Sequence, residues 1–357
     1  MVRFGIVGAG MMGREHIRNL HLFPEAELVA LADPVADSIA RAQRTAGDPA
    51  PRGFDSVEAM LAGAELDAVI VSSPNYLHRQ ALAPLFATGL HILCEKPLCT
   101  TLDDARWAAE RAKDHRGVFW TGMEYRFMPP AAAFIAEVKA GAVGRLVMLS
   151  IREHRFPFLE KVGDWNRFAR NTGGTMVEKC CHFFDLMRFI VGSEPERVFC
   201  SGAMDVNHLD ERYGGETPDI IDNSYTVIDF ADGVRAMLDL SMFAEGSQNQ
   251  EELTAVGDTA KLEAFIPDGR LVTSPRVGFR NPKQVSERHV AVDPTALAAG
   301  THEGATYYQL QAFLAAIAGT GPVAVTADDG LRAVATGLAA EISAREHRVV
   351  AMSELGF

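Results

Sequence analysis

Basic residues are in deficit: 34 Lys and Arg stand against 47 Asp and Glu, a formal net charge of −13. A surface of that sign repels a phosphate backbone, and no basic run with interleaved aromatics overrides it, so no nucleic-acid partner is expected. Long apolar runs are also missing. No stretch reaches the roughly 18 residues of a membrane span, and a single Arg3 precedes a strand-like run too short for a signal-peptide core, so a cytoplasmic, non-membrane protein is expected. Cysteine is scarce, at five residues (Cys94, Cys99, Cys180, Cys181, Cys200), an odd number without zinc-ribbon spacing. Reduced thiols fit that pattern better than a disulfide framework. Internal repeats and low-complexity tracts are absent. What remains is an ordinary globular composition, 48% hydrophobic and 23% charged over 357 residues, long enough for two domains whose cores need no covalent or metal staples.

The first hundred residues alternate short apolar runs with helical stretches. Val2 to Val7 reads as a buried strand and is followed at once by Gly8-Ala9-Gly10-Met11-Met12-Gly13, then a helix. In that setting Gly8 makes the tight turn, Gly10 lets the backbone approach a pyrophosphate, and Gly13 lets helix and strand pack closely. The helix N-terminus adds free N–H groups and partial positive charge for the diphosphate, with Met11 and Met12 flanking it. A second strand ends at Asp33, 20 positions after Gly13. Its carboxylate would accept from the adenosine ribose and oppose a 2'-phosphate, so NAD is expected over NADP; Arg41 and Arg44 follow one to two turns on. Further strands at 68–71 and 91–94, with helices between them, imply a parallel, doubly wound sheet whose ligands lie at the carboxyl ends of its strands.

Lys96 stands at the end of the strand 91–94, before Pro97, in Glu95-Lys96-Pro97. The proline biases Lys96 to an extended backbone, from which its ammonium can hydrogen-bond a reacting oxygen and stabilise developing alkoxide charge. A hydroxyl that loses hydride from its carbon must also lose its proton, which calls for a histidine or carboxylate elsewhere. Gly173-Gly174-Thr175-Met176-Val177-Glu178-Lys179-Cys180-Cys181-His182-Phe183-Phe184-Asp185 supplies both. Read as one helix after the glycines, it puts Glu178 and His182 at i and i+4 on one face. A zinc site from Cys180, Cys181, His182 and Asp185 is rejected, because the three consecutive helical side chains diverge by about 100° each and cannot close on one ion; no metal is expected.

The succession GAGMMG, ADP, SPNYLH and CEKP, followed by GGTMVEKCCHFFD, FADG and GDTAKLE, resembles the Gfo/Idh/MocA oxidoreductases over essentially the whole chain. The resemblance implies an N-terminal Rossmann domain (1–122) and a C-terminal α/β domain (123–357) with a large, open, mostly antiparallel sheet that often mediates oligomerisation, so a homodimer or homotetramer is expected. It also implies chemistry on sugars, inositols or their derivatives, and it places cofactor contacts at Ser73, Pro74, Asn75 and His78, with Glu95 as a local partner or cofactor-lining residue. His78 is equally a candidate structural residue. His182 takes the place of the family's catalytic histidine and Glu178 that of an aspartate four residues earlier. Lys179 is a departure, either a second active-site cation or an outward side chain.

A polar set precedes this segment: Glu124-Tyr125-Arg126 after the strand 118–121, then Arg152-Glu153-His154-Arg155 on a strand from Leu146, with Arg152 and His154 on one face and Glu153 and Arg155 on the other, one of the two facing the crevice, then Asp164-Trp165-Asn166-Arg167. They form the expected substrate wall, Trp165 as an apolar platform for ring C–H groups and Asn166 as a bidentate amide for adjacent hydroxyls. The excess of cations points to an anionic sugar, unless they serve as surface ion pairs. His302, ahead of a helix from Ala305, either caps that helix or reaches substrate, with the structural role favoured. Two enzymatic readings follow: a dehydrogenase acting on a secondary hydroxyl of a sugar, inositol or glycoside, and an oxidoreductive glycoside hydrolase in which a transient ketone permits elimination, water addition and return of the hydride.

Overall fold

Burial on both faces marks the strands of the first sheet: Ala68–Val71 is buried at every residue, as parallel strands sandwiched between helices must be. The computed structural model describes all 357 residues. Six strands, β1 (Val2–Val7), β2 (Ala26–Ala32), β3 (Arg52–Phe54), β4 (Ala68–Val71), β5 (His91–Glu95) and β6 (Phe119–Gly122), pair in parallel in the order β3-β2-β1-β4-β5-β6. The order reverses between β1 and β4, which puts the ligand-binding edge at their carboxyl ends. The doubly wound sheet expected from the sequence is therefore present.

The chain divides into two units, and neither is one continuous segment. The first comprises Met1–Glu124, Lys161–Trp165 and Asp293–Val334; the second comprises Tyr125–Glu160, Asn166–Val292 and Ala335–Phe357. This departs from the expected division at 122/123. The physical reason lies in the first core: Phe4 and Trp120 are fully buried, and the ring that covers both is Phe313 of the helix Ala305–Ile317, at centroid distances of 6.4 and 6.0 Å.

In the second unit, β7 (Leu146–His154), β8 (Pro195–Ala203), β9 (Asn223–Phe230), β10 (Arg235–Ser241), β11 (Glu251–Gly257), β12 (Ala260–Ile266), β13 (Arg270–Pro275), β14 (Ser286–His289) and β15 (Val350–Ala351) form a nine-stranded sheet. Its order is β14-β13-β12-β11-β7-β10-β9-β8-β15, and every pair is antiparallel except β7 with β10. The expected hairpin closes β9 on β10 through Gly233, whose φ of 86° suits glycine. One face of the sheet is buried. The other exposes Phe199, Val227 and Met237, which stand side by side in register across β8, β9 and β10, with Tyr225 and Met148 close to that row. No helix of the chain is long and apolar enough to cross a membrane.

Candidate active site

The phosphate turn is built by steric necessity. Gly8 has φ 92°, and a Cβ there would lie 2.5 Å from the Ser73 nitrogen; a Cβ on Gly13 would lie 2.2 Å from the Gly8 carbonyl oxygen. A side chain at Gly10 would meet nothing within 4 Å, so that backbone is open to a ligand. The helix Met11–Leu20 begins there, with Gly10 at its N-cap and no side chain capping it, which leaves its N–H groups available to an anion. Met11 is exposed and Met12 half-buried.

Asp33 is fixed by two backbone donors. The Ala9 N–H donates to Oδ2 and the Val35 N–H to Oδ1, both at 2.8 Å. A groove of about 570 Å³ lies beside it, lined by Pro34, Ile39 and Phe54 among others. Arg41 is paired at 2.6 Å with Asp37, and Arg44 is exposed. At the end of β4, the hydroxyl of Ser73 and the amide nitrogen of Asn75 are buried without a protein partner, as polar groups awaiting a ligand are. The turn, the carboxylate and these two groups together fit a nicotinamide dinucleotide.

His78 serves the same loops differently. It is fully buried, with Nε2 3.1 Å from the Ser73 carbonyl and Nδ1 2.9 Å from that of Pro97. It clamps the segments after β4 and β5 together, so the cofactor contact expected of it is replaced by the structural role. Pro74 precedes the turn Asn75–Leu77, and Pro97 follows Lys96 through a cis peptide bond.

Lys96 is half-buried just past β5, and its backbone N–H donates to Glu95 Oε2 at 3.2 Å. Glu95 is buried, with Oε1 2.7 Å from His16 Nε2. Burial alone would raise its pKa, but the hydrogen bond and charge of His16 and the charge of Lys96 outweigh that and hold it below the usual carboxylate range. Glu95 is thus a charged partner of Lys96 and His16.

In the second unit the segment Gly173–Asp185 enters two helices, not one. Thr175–Glu178 ends at Lys179, and Cys181–Val191 begins after Cys180. The i, i+4 relation of Glu178 and His182 along a single helix is therefore not realised, although both side chains are buried. Gly173 and Gly174, both with positive φ, set the start of the first helix, and a Cβ on Gly174 would run into the Glu341 carboxylate at 2.2 Å. The kink turns Lys179 inward, so it is no outward side chain. It is 3% exposed, donates to the Tyr125 hydroxyl and lies 2.9 Å from Glu153 Oε1. The Tyr125 ring in turn stacks on His182 with centroids 4.0 Å apart and planes 8° from parallel. Glu251 stands directly opposite Glu153 in the ladder. Burial, then the charge of Glu153, pushes the Glu251 carboxyl well above its usual range, while burial pulls Lys179 down against the attraction of Glu153.

The expected substrate wall fares less well. Alternation along β7 is as read, but the face toward Lys179 carries Glu153. Arg152 and His154 lie on the half-exposed face, Arg152 ion-paired across the ladder with Glu252 at 2.6 Å and His154 Nε2 3.1 Å from Asp239 Oδ1. Arg126 is buried and gripped by Asp185 through two bonds, of 2.6 and 2.5 Å. Asn166 is fully buried, and its amide donates to the Leu159 carbonyl at 3.1 Å, so it is spent inside its own loop. Trp165 packs edge-on against Tyr76 at 6.0 Å within the first unit. Of the residues around Lys179, Tyr125 and Glu153 belong to the polar set read from the sequence, without a role of their own there, and Glu251 comes from the structure alone. Tyr125 lies three residues past β6, the one local signal available to it; Glu251 carries none.

The comparisons agree with this architecture. The profile described as "Oxidoreductase family, NAD-binding Rossmann fold" matches residues 2–123, and "Oxidoreductase family, C-terminal alpha/beta domain" matches residues 135–352. The rhizopine catabolism protein MocA of Rhizobium meliloti is 32% identical over 193 residues, 54% of this chain and 58% of that protein's length. The myo-inositol 2-dehydrogenase of Thermotoga maritima is 26% identical over 360 residues, 99% of each chain. Among solved structures, levoglucosan dehydrogenase in complex with NADH and levoglucosan superimposes with a TM-score of 0.83 at 20% identity, covering 98% of this chain and 99% of that one; this likeness is one of fold. The chain belongs to the Gfo/Idh/MocA oxidoreductases.

Proposed function

We propose that the protein oxidises a secondary hydroxyl of a sugar, inositol or glycoside, with NAD rather than NADP as hydride acceptor. The observation that carries the reading is the placement of Lys96 on the sheet edge that also bears the Gly8 turn and Asp33. When bound, the nicotinamide supplies the acceptor for the hydride. Lys96 donates a hydrogen bond to the substrate oxygen and stabilises the charge that grows there. His182 takes the hydroxyl proton, its ring held flat by Tyr125. Glu178 binds substrate or supports His182. The preference for NAD rests on Asp33, whose charge opposes a 2'-phosphate, and on the engagement of Arg41 by Asp37.

The substrate is read as an uncharged polyol. Arg126 and Arg152, cations of the set that pointed to an anion, each face a carboxylate, as does Lys179. The name of the Thermotoga relative and that of levoglucosan dehydrogenase favour the same class. The test is a panel of inositols, neutral sugars, uronates, sulfosugars and their glycosides with each nucleotide, following reduced-nicotinamide absorbance. Growth of absorbance with one neutral polyol supports the reading; response only to anionic sugars overturns the substrate class.

One observation favours the oxidoreductive glycosidase as a second reading. Lys179 donating to a phenol stacked on His182 supplies another acid–base group, which elimination and water addition require. Aglycone release without accumulation of reduced nucleotide is its signature.

A further inference from the structure

Behind Lys96 lies a buried carboxylate cluster that the proposed reaction does not use. β5 and β6 are neighbouring parallel strands with Glu95 paired to Gly122, so Lys96 and Glu124 leave the same edge of the sheet one and two residues later. Glu15 of the helix Met11–Leu20 and Glu124 are 3% and 1% exposed. The segment Thr301–Thr306, far away in the chain, closes on both. Thr306 Oγ1 is 3.0 Å from Glu15 Oε1 and 2.9 Å from Glu124 Oε2. Thr301 approaches Glu15 with its N–H at 3.2 Å and its hydroxyl at 3.1 Å. Its hydroxyl is also 3.0 Å from His302 Nδ1, which lies 3.2 Å from Glu124 Oε1. The contacts form a closed ring: Glu124, Thr306, Glu15, Thr301, His302.

Counting hydrogens on that ring fixes where a proton sits. A threonine hydroxyl has one hydrogen, so it donates to one carboxylate and accepts from the other. Glu15 collects donors from the Thr301 N–H, the Thr301 hydroxyl and the Thr306 hydroxyl. Thr306 has then spent its hydrogen and accepts from Glu124, whose carboxyl must carry the proton. The electrostatics agree: burial first, then the charges of Glu95 and Glu15, push Glu124 up to about 8, against the opposing pull of Lys96 and Thr306. The charged and titratable groups facing Glu124 are Glu15 from the helix Met11–Leu20, Glu95 and Lys96 from β5 and its end, and His302; His16 acts through Glu95. His302 is partly exposed, with φ 53°, and is the one member of the ring with a substantial opening to solvent.

We propose that Glu124 is a proton reservoir for the Lys96 end of the nucleotide site, releasing its proton to water at the opening beside His302 when the positively charged nicotinamide of NAD⁺ adds to the ammonium already there. The O–H bond of Glu124 breaks, the proton passes to solvent water at that opening, and the carboxylate left behind, faced by the His302 Nδ1–H, offsets the new cation. NADH brings no such charge, so Glu124 stays protonated. The inference rests on the nucleotide reading and predicts a linkage. NAD⁺ affinity rises with pH until Glu124 is ionised in the free protein, while NADH affinity is flat over the same range.

Isothermal calorimetry on the full chain in two buffers of different ionisation enthalpy counts the protons directly. At about pH 7, NAD⁺ is expected to release close to about one proton per site and NADH none. Glu124→Gln abolishes the difference. Glu15→Gln keeps the shape but removes one negative neighbour, and moves the release to lower pH. Equal proton counts for the two nucleotides in the wild type, or unchanged release in Glu124→Gln, overturn the proposal while leaving the nucleotide reading intact. Failure of both nucleotides to bind overturns both.

Discussion

Lys96 and His182 are asked for different things, and their substitution separates these. Lys96→Met is expected to lower kcat/KM by about 10²- to 10³-fold through loss of charge stabilisation at the oxygen, and His182→Asn by about 10²- to 10⁴-fold through loss of the proton acceptor. NAD affinity, measured by fluorescence titration, stays near the wild-type value in both; a collapse of affinity assigns the residues to binding instead. Glu341 poses a different question. It is buried beside Gly174, accepts the Met176 N–H at 2.9 Å and is pushed up to about 7, chiefly by burial. The native protein holds this proton more tightly than the unfolded chain does. Its contribution is therefore full at acid pH and lost as pH rises from the ordinary carboxylate range to about 7, a change on the order of 3 kcal/mol. Urea melts at about pH 5 and about pH 8 should show the wild type losing more stability than Glu341→Gln by that order; parallel behaviour of the two contradicts the assignment.

At the scale of elements, the phosphate turn is the least tolerant piece. Gly13→Ala forces a Cβ to within 2.2 Å of a backbone carbonyl oxygen, and neither partner is a flexible side-chain end. A drop of several degrees in Tm and at least about tenfold weaker nucleotide binding are expected, by thermal melt and titration. A variant that binds normally shows that the turn is not the nucleotide site. This element was legible in the sequence because its determinants are local: a strand, three glycines and an acid at fixed spacing. The same holds for β4, for the hairpin of β9 and β10, and for the helix Ala305–Ile317, all found where the pattern put them within a few residues. The inward face of β7 was not legible. Alternation gives two faces without naming the buried one, and here the buried one carries Glu153, whose charge reads as solvent-facing until Lys179 is seen beside it. Nor was the break at Lys179–Cys180 visible, since no proline or glycine marks it. Contacts such as Lys179 with Tyr125, or Thr306 with Glu124, join residues 54 and 182 positions apart, beyond any local pattern.

For the whole molecule, the outer face of the nine-stranded sheet is the feature still without a partner. Phe199, Val227 and Met237 are 41%, 40% and 38% exposed and stand side by side across three strands, with Tyr225 at 61% beside them, a patch of the kind that marks an interface. A homodimer or homotetramer joined through this face is the proposal. Val227→Glu or Met237→Lys is expected to yield a smaller species by light scattering, and a monomeric wild type contradicts it.

The interleaving of the two units bears on how the chain is made. A ribosome delivers Met1–Glu124 first, yet the ring that covers Phe4 and Trp120 comes from Phe313. At ordinary rates of synthesis the nucleotide-binding sheet waits roughly ten to forty seconds with that surface uncovered. The last strand of the other sheet, Val350–Ala351, emerges only after that. The first unit is therefore complete only once Val334 has been made, and the second only once Val350–Ala351 has followed.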